Sequence, residues 1–64
     1  MDDFDGLGRA ALAARIDDAR IRPEDRTIAR MRLLDRQKWV DIGAAVHCDR
    51  RTAARHFERI KGLI

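Results

Sequence analysis

Residues 39–60 read WVDIGAAVHCDRRTAARHFERI, and this stretch decides the fold. Trp39, Ile42 and Val46 recur at i, i+3 and i+7, and Ala53, Phe57 and Ile60 at i, i+4 and i+7. Each half therefore carries one apolar helical stripe. Asp49 stands where a side-chain oxygen can cap the first free amides of the second half. A glycine inside a helix costs about 1 kcal/mol relative to alanine, so the close approach of a second helix is the natural reason for Gly43. Ala53 supplies the small side chain that a short-range crossing needs, and Phe57 closes the core behind it. These demands are those of a helix-turn-helix, with Ile42, Val46 and Cys48 pinning the corner. His47 falls where the turn needs a left-handed residue, a place usually held by glycine and open to histidine at some cost in strain.

Upstream, Pro23 suits the first position of a helix, and Glu24 and Asp25 set negative charge against the positive end of its dipole. This helix is predicted over residues 23–34, with Ile28, Met31 and Leu34 on one face and Leu33 beside them. The apolar phase changes at residues 35–38, where Asp35 could cap the next helix. No Gly or Pro marks that junction, so the sequence admits either a break or one continuous, kinked helix. The third helix is expected over about residues 37–46 and the fourth over about 50–60. A further helix begins after Gly6 or Gly8 and runs to about residue 20, aligning Leu12, Ile16 and Ala19. Its narrow, alanine-rich stripe could cap a monomer's core or join two copies. Nothing alternates as a half-buried strand would, and no repeat is present. The expected fold is all-α, a small three- to four-helix domain with a C-terminal helix-turn-helix.

The 64 residues suffice for one domain only: an N-terminal arm or helix over 1–22 and a helix-turn-helix core over 23–64. Cys48 is the single cysteine, so no internal disulfide forms. His47 and Cys48 are neighbours that point apart, which argues against a metal. Cys48 reads instead as a small apolar residue and Trp39 as core. There is no serine nucleophile, no phosphate-cradling glycine loop and too little core for a pocket, so neither an enzyme nor a cofactor is expected. No apolar run approaches the roughly 20 residues that span a bilayer, and Asp2, Asp3 and Asp5 stand where a secretory leader would be basic. The expectation is a cytoplasmic protein without a membrane partner.

The formal charge of +3 is small, but its distribution is not even. Up to residue 19 five aspartates face Arg9 and Arg15, whereas from residue 20 onward twelve basic residues face six acidic ones. Arg50, Arg51, Arg55, Arg59 and Lys61 crowd the last fifteen positions. A polyanionic partner fits this pattern. By charge alone, so does a solvated surface of mixed sign.

The segment from about residue 27 to 60 resembles the helix-turn-helix of region 4 of bacterial sigma factors and of related small phage transcription regulators. Trp39, Asp41, Ile42, Gly43, Thr52 and Arg55 carry the likeness, and resolvase-type DNA-binding domains share much of it. The resemblance implies binding of double-stranded DNA through a recognition helix over about residues 49–61, in a transcription regulator encoded by a phage or mobile element. RNA polymerase or another protein would be a further partner. A recognition helix meets base edges with its N-terminal residues, so Arg50, Arg51, Thr52 and Arg55 are the expected base readers. Arginine is suited to guanine, and the chain has no asparagine for adenine. Arg36, Lys38, Arg59 and Lys61 are the expected phosphate contacts. Such a module commonly acts as a homodimer on a palindrome. The rival reading is a protein-binding module, such as an antitoxin, an anti-repressor or a phage inhibitor, that applies the same scaffold to a protein surface.

Overall fold

A computed structural model of the chain describes Gly6 and residues 8–64. Asp2, Asp3 and Asp5 lie outside the described residues. The architecture is all-α: α1 (Arg9–Asp18), α2 (Pro23–Ala29), α3 (Trp39–Ala45) and α4 (Arg50–Ile60), with no strand among the described residues. Pro23 opens α2, as its missing amide hydrogen allows. The helix runs on through Arg30–Leu34 as a π-turn, whose ladder is one residue wider than α-helical. No sequence signal announced that widening. Lys61–Leu63 add one 3₁₀ turn after α4.

Two apolar clusters hold the four helices together. Leu12 and Ile16 of α1 pack with Ala29 and Ile60, joined by Ile21, Leu33, Leu34 and Ile64. Ile28, Ile42, Ala53 and Phe57 form the second cluster, joined by Met31, Leu33, Trp39, Val46 and Cys48. Leu33 touches both. Leu12, Ile16 and Ala19 are buried, so the stripe of α1 is covered by the chain's own core. Ile28 and Met31 face the second cluster, but Leu34 turns with Ala29 toward α1. The expected single face of this helix is therefore two faces, because α1 covers one side and the α3–α4 pair the other.

The junction at residues 35–38 is a true break. Asp35 N donates to Arg30 O at 3.2 Å and Gln37 N to Met31 O at 3.0 Å, which closes the widened turn, and Arg36 takes φ +53°. Two expectations fail here. Asp35 does not cap α3: Lys38 holds the N-cap position without a side-chain bond, and the Asp35 carboxylate accepts instead from Arg9 Nη2 at 3.3 Å. Gln37 lies outside α3 because its amide is already used to close the preceding turn.

Arginine side chains fasten the helix ends. Arg26 donates to Ile16 O and Ala19 O, at 3.4 and 3.0 Å, and so satisfies carbonyls at the C-terminal end of α1. Arg30 pairs with Asp17 on the same helix end. Arg9 Nη1 donates to Leu34 O at 2.6 Å, closing the π-turn. Arg32 donates to Gln37 O at 3.0 Å while its guanidinium lies 4.7 Å from the Trp39 ring centroid, which ties the π-turn to the junction and to the start of α3. Arg15 holds Ile64 O at 3.0 Å.

Phe57 is buried, and its ring meets that of Trp39 at 5.5 Å between centroids. Phe57→Ala should remove about 3–5 kcal/mol, comparable with the whole stability of so small a domain. Loss of a cooperative thermal melt by circular dichroism is the expected result; a melt close to the parent's would show that the second cluster does not depend on this ring.

Candidate nucleic-acid interface

The α3–α4 corner sets the position of α4. Cys48 N donates to Gly43 O at 2.8 Å and His47 N to Ala44 O at 3.4 Å, the paired closure of a Schellman motif. His47 occupies its left-handed position at φ +59°. Cys48 follows with its side chain against the second cluster. The chain then passes directly over α3: a Cβ placed on Gly43 would lie 2.6 Å from Cys48 O and 3.2 Å from Arg50 N. Only glycine fits between the helix and the turn that leaves it. Asp49 caps the next helix, its Oδ2 accepting from Arg51 N at 3.1 Å.

With Ala53, Phe57 and Ile60 turned inward, helical spacing fixes what α4 presents outward. Arg51 and Arg55, one turn apart, stand opposite the buried stripe. Thr52 and Arg59 flank them. All four are exposed. Arg50 is exposed too, but three residues before Ala53 it falls on the stripe's own side, at the shoulder that α4 shares with α3. Glu58 joins the outer face, three residues beyond Arg55, and pairs with Lys61 at 2.8 Å. Thus Lys61 is already engaged with an acid, and Glu58 is an outward-facing residue that no motif in the sequence singles out. Arg36 and Lys38 are exposed at the far end of the helical segment that begins with α2.

The arginines of the chain divide in two. Arg9, Arg15, Arg26, Arg30 and Arg32 bond within the fold. Arg50, Arg51, Arg55 and Arg59, like Arg20, Arg22 and Arg36 outside α4, make no side-chain hydrogen bond or ion pair with any described residue. Half-buried His56 is not part of the outward row. Its Nδ1 lies 3.6 Å from Asp25 Oδ1, so it ties the middle of α4 to the first turn of α2. Trp39 is turned into the second cluster, in phase with Ile42 and Val46, as the sequence indicates. Among the described residues no three His, Cys, Asp or Glu side chains are grouped to hold a metal ion, and no helix is long and apolar enough to cross a membrane.

Comparison with protein-family models, with curated proteins and with solved structures gives no match to this chain.

The corner yields a pair of opposed predictions. His47→Gly should raise stability by about 1 kcal/mol, because glycine adopts the left-handed conformation without strain. Gly43→Ala should lower it by roughly 1–3 kcal/mol, since overlap with backbone outweighs the propensity gain. Urea titration of both variants checks the signs, and a stabilised Gly43→Ala would mean that the corner can open at little cost.

Proposed function

We propose that the domain is a sequence-specific, double-stranded DNA-binding transcription regulator, acting in the cytoplasm, with α3 and α4 as its helix-turn-helix. The observation that carries this reading is the row of unpaired arginines on the outer side of α4, on a chain that uses five others inside its fold. An unpaired guanidinium on a capped, rigidly seated helix has its donors ready for two acceptors on one guanine edge. The major groove admits one α-helix, and α4 offers it a face without a large apolar side chain. The likeness of Trp39, Asp41, Ile42, Gly43, Thr52 and Arg55 to region 4 of sigma factors and to phage regulators supports the same assignment.

Within this reading Arg51 and Arg55 are the central base readers, and Thr52 sets its methyl beside them for a thymine methyl. Arg50, at the shoulder, reads an outlying base. Arg59 belongs to the phosphate row, with Arg36 and Lys38 at the opposite end of the α2 segment. Lys61 contributes only after Glu58 releases it. The stripe of α1 is used internally, so two copies on a palindrome would meet through another surface. One observation favours the rival protein-binding module: Val40, 58% exposed on the outer side of α3, is an apolar side chain that duplex DNA does not need.

Titration against a duplex selected from a random pool, and against its scrambled counterpart, separates the readings. Arg51→Ala or Arg55→Ala should cost roughly 1–3 kcal/mol on the selected site and relax its guanine preference. Arg59→Ala should weaken both duplexes by the same factor and reduce the salt slope by about one. Equal losses everywhere would reduce α4 to an electrostatic patch. If the parent binds no duplex even at low salt, the protein-binding module takes its place.

A further inference from the structure

Arg20 and Arg22 lie in the four-residue connection between α1 and α2, apart from the outer face of α4. Both are exposed and make no side-chain hydrogen bond or ion pair with any described residue. The connection itself is fixed. Ile21 N donates to Ala19 O at 3.0 Å, Arg26 Nη2 holds the same carbonyl at 3.0 Å, and the Ile21 side chain packs into the first cluster. Ala19 and Arg22 are both extended, with ψ of 143° and 154°. The Ile21–Ala19 bond closes a three-residue turn centred on Arg20, and Arg20 and Arg22 are exposed on either side of the anchored Ile21.

Their place relative to α4 follows from two contacts. Asp25, one turn beyond Arg22, reaches His56 of α4, and Ile28, a turn further, packs with Ala53 and Phe57. Arg22, the N-cap residue just before α2, therefore lies at the end of the segment that meets α4 at His56. α4 thus crosses a helical segment made of the seven residues of α2 and the five of its π-turn. That segment is about 18 Å long and carries Arg20 and Arg22 before its start and Arg36 and Lys38 after its end. The segment is longer than the roughly 12 Å width of the major groove, so cations beyond its two ends can reach toward the phosphate rows that border the groove.

Resting on the reading of α4 as a recognition helix, we infer that Arg20 and Arg22 form a second phosphate clamp, which grips the DNA strand across the groove from Arg36 and Lys38. Because the connection is pinned through Ile21 and Arg26, the backbone that carries the two arginines is held in place beforehand, and binding costs little backbone freedom. The clamp sets register and orientation without reading sequence.

The test uses the whole chain, with the selected duplex and a mixed-sequence duplex titrated at several salt concentrations. The paired change of Arg20→Ala with Arg22→Ala should lower affinity for both duplexes by one common factor. It should also reduce the slope of log affinity against log salt by about 0.9 for each phosphate no longer neutralised. Arg20→Lys with Arg22→Lys should restore most of the slope, and the thermal melts should match the parent's, since neither side chain bonds within the fold. An unchanged slope and affinity in the alanine pair overturns the clamp. Arg51→Ala is run beside it: if that variant loses guanine preference while the alanine pair behaves as the parent, the clamp alone fails. A parent that binds no duplex removes both readings.

Discussion

The approach of the turn backbone to Gly43 is the constraint on which the rest of the molecule depends. A side chain there would meet the Cys48 carbonyl at 2.6 Å, so the corner exists only because position 43 has none. From that approach follow the sharp reversal at His47 and the cap at Asp49. The placement of Ala53 against Ile42 and Ile28 also follows from it. The opposite side of α4 is thereby held open to solvent. Relaxing the corner would move the outer arginines relative to every other cation on the domain.

A small domain with many arginines must keep them from competing with its own binding surface. Here the competition is avoided by geometry. Every helix C-terminus leaves carbonyls unpaired, and guanidinium groups suit them because they donate in several directions and favour the negative end of the dipole. Arg26 serves α1 in this way, Arg9 and Arg32 serve the π-turn and its junction, and Arg15 serves the chain's last described residue. Arg51 and Arg55 stand on the outer face of α4 and bond to no carbonyl of the described residues. The same residue type is therefore structural on α1 and α2 and available on α4, and the difference lies in neighbours rather than in chemistry.

The two clusters also bear on size. A chain near the lower limit for a single core would fold poorly with one helix pair alone. Joining α1 to the other three through Leu12, Ile16, Ala29 and Ile60 adds a second buried layer. Leu33 couples the two layers, and the π-turn packs both Leu33 and Leu34, half-buried, against them.

The sequence by itself determined the all-α class, the inward stripe of α4 and the corner, including glycine at 43, the left-handed histidine at 47 and the Asp49 cap. These are local demands: helical period, steric size and capping chemistry are written within a few residues of where they act. What only the tertiary structure decided depends on partners far along the chain. The break at residues 35–38 has no Gly or Pro to announce it, because Arg36 accepts φ +53° while Arg9 and Arg32 satisfy the surrounding carbonyls from a distance. Asp35 went to Arg9 rather than to a helix cap, and His56 was drawn to Asp25, for the same reason. On α4, spacing alone could name Arg50, Arg51, Thr52 and Arg55. It could not separate Arg50, turned toward the α3 shoulder, from Arg51 and Arg55 on the outer face, nor reveal that Lys61 is paired with Glu58. Charge is legible in a sequence as a count, but which charges remain unpaired is fixed only when distant carbonyls and carboxylates are brought within hydrogen-bond reach.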